Sequence, residues 1–331
     1  MEIELLAFTD KGFALAERLA AVLGGRASRC NAPDSLAVWT QRAFSRAQAL
    51  VFVGAAGIAV RAIAPYILHK AHDPAVVVVD ECARFAVPIL SGHLGGANAL
   101  ARRISACCGA APVLTTATDA NGVFAVDEWA RLQGMRVLNP EKIKRISARL
   151  LAGGTVSLYS DWPVAGTPPE CVRITADSTC DIRVSLWPEE DDALHLIPAV
   201  AVLGVGCRKG MACVEIERAL EAFLAAGRVH RQAIRKVCRI DLKKAEPGLT
   251  AFCAKHSLPF ETYSAQQLVA VGGVFSASAF VQCVTGVDNV CERAAVCGSG
   301  GALYLKKFAG GGVTLAMALM PFAPDWRWQN G

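Results

Sequence analysis

Ser91-Gly92-His93-Leu94-Gly95-Gly96-Ala97-Asn98 is the stretch that decides the fold. An apolar run ends just before it at Leu90, and a run with helical spacing opens just after it at Ala99. Glycines, a histidine, a serine and an asparagine between two such runs make a strand-to-helix turn. The backbone of such a turn can come close to a ligand. After another apolar run follows a second polar cluster, Thr115-Thr116-Ala117-Thr118-Asp119. Both clusters sit at the carboxyl end of a predicted strand, where ligands bind in open α/β sheets. The two turns are therefore expected to face one another and to form much of a site.

Working outward toward the N-terminus, residues 85–90 and 76–79 read as adjacent strands or a hairpin, with Pro88 placing the first of these runs at an edge or bend. Residues 49–53, Gly54-Ala55-Ala56-Gly57 and residues 58–66 read as strand, glycine turn and helix. That turn lacks the dinucleotide fingerprint, and no acidic residue ends the next strand at the usual distance. Residues 36–39 read as a strand, 13–23 as a helix stopped by Gly24-Gly25, and 3–8 as a strand. Working outward the other way, residues 98–108 read as a helix, 112–114 as a strand and 126–132 as a helix ending at Gly134.

Residues 136–197 change character, with one helix at 141–151, a strand at 156–159 and proline-rich or acidic loops, and they carry no evident chemistry. Residues 198–331 resume the α/β pattern. A strand at 199–205 runs into Gly206-Cys207-Arg208-Lys209-Gly210 and a helix at 213–226. A strand follows at 237–242, then a capping box at Ser264-Ala265-Gln266-Gln267. The region closes with a helix at 290–297 and a hairpin around Gly310-Gly311-Gly312. The expected architecture is α/β, with two three-layer or open-sheet domains at 1–135 and 198–331 joined by a smaller linker subdomain at 136–197.

Bulk properties exclude several classes. The chain of 331 residues is 53% hydrophobic and 19% charged, with a mean hydropathy of +0.35. No run approaches the ~18 apolar residues of a spanning helix, and Met1-Glu2-Ile3-Glu4 lacks a basic signal-peptide start. A cytoplasmic protein with buried parallel strands, apolar on both faces, is expected. The 13 cysteines contain no Cys-x-x-Cys pair, so they read as small core residues rather than a disulfide framework or metal site. Residues 198–331 carry 15 basic against 9 acidic side chains, which suits an anionic partner. Aromatics are sparse near those basic clusters and no nucleic-acid-binding signature is present, so a small polyanion is the expected ligand, not nucleic acid.

His93 is the leading candidate for proton transfer, since a histidine between glycines has little packing beside it and titrates near neutrality. Alternatively, it bonds a backbone group and locks the turn. Asp119 can orient His93 or act as a base; alternatively, it caps the turn before Gly122. Ser91 lacks the spacing of a nucleophile elbow. Gly92, Gly95, Gly96 and Asn98 at a helix start suit a carboxylate, a phosphate or a developing oxyanion, with Thr115 and Thr116 beside them. Arg61, Lys70, Arg84, Arg102, Arg208 and Lys209 are the cations that can pair ligand carboxylates, or else lie solvated on the surface. No metal ligands are expected.

These residues carry a resemblance. Lys70-x-x-Asp73-Pro74-Ala75-Val76, Asp80-Glu81, Val87-Pro88-x-Leu90-Ser91-Gly92-His93-x-Gly95-Gly96-Ala97-Asn98 and Thr115-Thr116-Ala117-Thr118-Asp119 resemble the cobalt-precorrin-5A hydrolase family of anaerobic cobalamin biosynthesis. Gly204-x-Gly206-Cys207-Arg208-x-Gly210, Lys244-x-Glu246-Pro247-Gly248-Leu249 and Gly286-Val287-x-Asn289-Val290-Cys291-Glu292 are similar to that family's C-terminal domain. The resemblance covers residues 50–135 and 200–318 and leaves 155–197 unmatched. It implies an enzyme that opens the δ-lactone of a cobalt-bearing, ring-contracted tetrapyrrole and releases acetaldehyde. Cobalt would arrive with the substrate, so no cofactor of the protein's own is implied. His93 or Asp119 would activate water, with backbone N–H groups near Gly95-Gly96 holding the oxyanion. A homodimer and transient contact with other corrin-pathway enzymes stay open. A non-catalytic tetrapyrrole carrier is the alternative; a nicotinamide-linked dehydrogenase is disfavoured by the missing fingerprint.

Overall fold

The computed structural model of the chain describes residues 2–31, 35–69, 72–177, 179–243 and 246–328. Among these residues three sheets form, one per unit. The N-terminal sheet comprises β1 (Ile3–Ala7), β2 (Arg26–Arg29), β3 (Ala49–Val53), β4 (Ala75–Val79), β5 (Phe85–Leu90) and β6 (Ala111–Pro112), in the order β2-β1-β3-β4-β5-β6. All its pairings are parallel except β4 with β5, an antiparallel hairpin whose register slips between Val76 and Val77, opposite Pro88 and Leu90. Helices α1 (Asp10–Leu23), α2 (Leu36–Arg46), α3 (Ala56–Ile63) and α4 (Ala97–Cys108) cover it. Alternation along the strands explains the layers. Leu5, Val51 and Val77 pack toward Leu15, Leu19, Leu100 and Ile104 of α1 and α4. Leu6, Leu50, Phe52 and Val76 pack toward Trp39, Ala43, Ala59 and Ile63 of α2 and α3. Strands apolar on both faces therefore sit between two helical layers, as expected for a parallel sheet.

Residues 36–39, read as a strand, open helix α2 instead. Ser35 caps it, its Oγ accepting from the Val38 N–H, and Trp39, Thr40 and Ala43 are buried along one helical face. Within this sheet the reading lacks β2, four residues at the edge with no apolar run to reveal it. The strand expected at 112–114 shrinks to β6, which pairs only with Phe85 and Ala86.

The middle unit, read as a linker subdomain, is built on a second sheet. Strands β7 (Met135–Val137), β8 (Val156–Ser160), β9 (Val172–Ile174), β10 (Ile182–Val184) and β11 (Leu194–Pro198) align in the order β7-β11-β10-β8-β9. The short helix α5 (Ala117–Ala120) precedes it, and α6 (Val126–Leu132) and α7 (Ile143–Leu151) pack on it. Helix α6, grouped by the reading with residues 1–135, buries Val126, Trp129 and Ala130 in this middle core. Trp326 returns from the C-terminus and stacks on Trp129, with centroids 5.5 Å apart and rings 10° from parallel.

The third sheet holds β12 (Ala201–Cys207), β13 (Ile234–Ile240), β14 (Phe260–Tyr263), β15 (Ala302–Gly310) and β16 (Val313–Leu319), in the order β14-β13-β12-β16-β15. Helices α8 (Cys213–Gly227) and α9 (Pro247–Lys255) cover one face. The other carries α10 (Ala265–Val269), α11 (Ala279–Thr285) and α12 (Val290–Ser299). The capping box at Ser264 and Gln267 starts α10 as the sequence predicts.

Candidate functional site

The turn between β5 and α4 is closed by its own backbone. The N–H groups of Gly96, Ala97 and Asn98 donate to the carbonyls of His93, Ser91 and Gly92, at 2.9, 3.1 and 2.9 Å. Gly96 has φ +85°, the left-handed region that favours glycine. A Cβ on Gly95 would stand 2.3 Å from Ser91 Cβ, so only glycine lets the turn fold this tightly. Ser91 itself is held at φ 55°, and its hydroxyl donates to the Asp73 carbonyl at 3.0 Å. The oxyanion cradle expected from Gly95-Gly96 is thus largely spent: Gly96 and the two residues after it use their N–H groups inside the turn.

The closed turn aims His93 at two carboxylates. Its Nε2 lies 2.7 Å from Asp119 Oδ2, and its Nδ1 lies 3.2 Å from Asp127 Oδ2. Asp119 also accepts from Asn98 Nδ2 at 2.9 Å, from Arg102 Nη2 at 2.6 Å and from the Thr116 hydroxyl. A Cβ on Gly92 would come within 2.9 Å of Asn98 Oδ1, so this glycine makes room for the Asn98 amide. The expected meeting of the two polar clusters is therefore present, through His93, Asn98, Thr116 and Asp119.

Burial sets the charges of this network. Burial disfavours a cation at His93, but hydrogen bonds and charge from Asp127 and then Asp119 outweigh it and hold the imidazole's pKa up at about 9. Burial also pushes Asp119 up, but Thr116, His93 and Arg102 outweigh it and hold the carboxyl down at about 2. At neutral pH His93 is an imidazolium donating from both nitrogens. In this form the ring carries a proton on each nitrogen and has no free lone pair to accept another.

The other expected residues lie apart. Thr115 is exposed and outside the hydrogen-bonded cluster, and Arg61 is exposed on α3. Lys70 lies outside the described residues. Arg84 faces Asp80 at 3.5 Å. Arg208 and Lys209 are exposed in the third unit, where Arg208 alone of the two lines a cleft of about 360 Å³. The cleft's lining comes entirely from residues 206–314. His93 is not among the residues that line it. The His93 turn instead faces the middle unit, where Leu94 packs on the core and Asp127 opens α6. No group of metal ligands assembles among the described residues.

The family model described as Cobalamin synthesis G N-terminal matches residues 38–119. The one described as Cobalamin biosynthesis central region matches 124–202, and Cobalamin synthesis G C-terminus matches 201–318. This chain belongs to the cobalamin synthesis G family. The cobalt-precorrin-5A hydrolase of Salmonella typhimurium (strain LT2) is 32% identical to it, covering 96% of this chain and 97% of that protein. The cobalt-precorrin-5A hydrolase of Priestia megaterium is 31% identical over 84% of this chain and 80% of its own. A crystal structure of a cobalamin biosynthesis protein G homolog from Sulfolobus solfataricus aligns over 97% of each chain at 21% identity, with a TM-score of 0.43.

In this cobalamin synthesis G protein the central-region match starts at 124, beside the point where Phe124 and α6 enter the middle core. Two residues central to the geometry escaped the sequence reading. Asp127 sits in an ordinary acidic first turn of a short helix, and only packing brings it to His93. Arg239 shares β13 with two other cations, Arg235 and Lys236, and nothing local says that it is buried where Arg235 is exposed.

Proposed function

We infer that this protein is a cobalt-precorrin-5A hydrolase acting in cobalamin biosynthesis. The observation that carries the reading is the identity with the Salmonella hydrolase, which spans nearly the full length of both chains. The reaction we assign is hydrolysis of the substrate's δ-lactone followed by loss of acetaldehyde. Cobalt belongs to the substrate, and the protein brings no cofactor. A cytoplasmic setting goes with this reading; no helix among the described residues is long and apolar enough to cross a membrane.

The charge state of the His93 cluster supports a division of labour. Water adds to the lactone carbonyl and gives one proton to solvent, the acyl–oxygen bond breaks, and the departing alkoxide needs a proton. His93 Nε2 supplies it, exchanging its Asp119 partner for the substrate oxygen; Asp127 keeps the ring in place through Nδ1. The neutral imidazole then takes the proton of the freed hydroxyl. The carbon–carbon bond breaks, acetaldehyde leaves, and the electron pair enters the conjugated macrocycle, which is protonated from solvent. General acid–base transfer of this kind contributes roughly 10²–10⁴-fold.

The test is anaerobic incubation of the full chain with cobalt-precorrin-5A, scoring acetaldehyde. Stoichiometric release by the wild type supports the hydrolase. Binding of an intact lactone without release would establish a carrier instead.

A further inference from the structure

The C-terminal cleft lies apart from the His93 cluster, and a buried cation is among the residues that line it. Arg239 stands in β13, a strand flanked on both sides, and is 1% exposed. Its Nε and Nη1 are buried and donate to no acceptor among the described residues. Burying a guanidinium without a counter-charge is strongly unfavourable. A position kept at that cost is explained by an anion that arrives from outside.

The surroundings specify the anion further. Arg208 and Lys307 line the same cleft, and helix α12 opens onto it through Asn289 and Val290. None of the three cations is ion-paired among the described residues. The nearby carboxylate, Glu292, is fully buried and committed. It accepts from the Ser276 N–H and hydroxyl, the Asn289 amide and the Lys307 N–H at 2.7, 3.0, 2.8 and 2.7 Å. The remaining wall is apolar, with Ile240, Val281 and Val284. A small hydrated ion has no use for that wall, whereas an apolar ring edge bearing a carboxylate does. The volume of about 360 Å³ is at the small end of ligand pockets and suits an arm of a large molecule rather than the whole.

We propose that this cleft is a carboxylate-binding subsite, anchored by Arg239, that takes an acetate or propionate arm of a tetrapyrrole. The assignment of the arm rests on the hydrolase reading; the carboxylate chemistry rests on the cleft alone. Guanidinium forks match carboxylates in geometry as well as charge.

The experiment compares a stable cobalt corrin heptacarboxylate with the same corrin fully esterified, titrated into the full-length protein. The wild type is expected to bind the acid at least tenfold more tightly than the ester. Arg239→Met is expected to lose that preference while its melting temperature holds or rises, since an unpaired buried charge has been removed. In turnover, Arg239→Met is expected to raise KM at least tenfold and spare kcat. An Arg239→Met variant that keeps the acid preference overturns the proposal. So does displacement of the acid by equimolar inorganic phosphate, which would mark a general oxyanion site. If the Met variant does not fold, hydrogen exchange of the wild type decides: protection of the ends of β12 and β13 by the acid but not the ester is required. Acetaldehyde release by the wild type tests the hydrolase reading separately, so either idea can fail alone.

Discussion

His93 gives a proton or takes one according to the state its neighbours impose, and here they impose the charged form. Its pKa of about 9 lies above the ordinary 6.5. The folded protein therefore binds a proton that the unfolded chain releases at lower pH. The stabilisation from this site is full below about pH 6.5 and is lost as pH rises through about 9. A melting-temperature profile should fall over that window in the wild type and flatten in His93→Gln. If His93 is the proton donor, kcat should also decline above about pH 9, and His93→Gln should lower it roughly 10²–10⁴-fold. Acetaldehyde release measured across pH checks both. Asp119 runs the other way: held at about 2, it stabilises the fold above about pH 4 and loses that effect as pH falls toward 2. Gly92→Ala is a test without a charge change. Its Cβ would meet the Asn98 amide oxygen at 2.9 Å, which displaces a donor from Asp119 and should cost about 1–3 kcal/mol in denaturant unfolding.

At the scale of elements, the close packing of helix against strand depends on a few positions without side chains. A Cβ on Gly204 would stand 1.8 Å from the Cys291 carbonyl oxygen, so α12 lies directly on β12. A Cβ on Gly298, from the same helix, would meet Cys238 Sγ on β13 at 2.4 Å. Gly204→Ala must push α12 off the sheet. It should destabilise the protein by about 1–3 kcal/mol or more and, because α12 also borders the Arg239 cleft, weaken the acid preference there. Denaturant midpoints and corrin titration measure the two effects. Gly206, two residues on in the same strand, also serves contact, making room for Thr314 Oγ1. The same scale shows where periodicity misleads. Four residues at 36–39 fit a strand as well as a helix, and only the cap at Ser35 with burial of Trp39 and Ala43 decides. Long runs such as 49–53 and 75–79 had no such ambiguity, because strands apolar on every residue can only be buried between layers.

Across the whole molecule the three units are tied by contacts between distant parts of the chain. His93 bonds Asp127 across the boundary between the first and middle units. Trp326 closes the middle core on Trp129, whose Nε1 donates to the Asp325 carbonyl at 2.6 Å. Trp162 and Phe322 pack edge to face at 5.3 Å, where the middle and third cores adjoin. Trp326→Ala should cost about 3–5 kcal/mol, read as a lower melting temperature with a change in tryptophan fluorescence as the terminal segment leaves the middle core. Unchanged stability would show that the segment is not part of that core.

The sequence by itself determined the α/β class, most strands and helices of the outer units, and the turn at 91–98 with its partner at 115–119. Those properties follow from local periodicity, glycine conformation and the rule that ligands collect at strand ends. Only the tertiary structure decided that Asp127 completes the histidine's environment, that the turn spends its N–H groups on itself, and that Arg239 is buried with unmet donors. The physical reason is common to all three. Charge state and hydrogen-bond satisfaction depend on which groups share a buried volume, and packing assembles that volume from segments the sequence keeps apart.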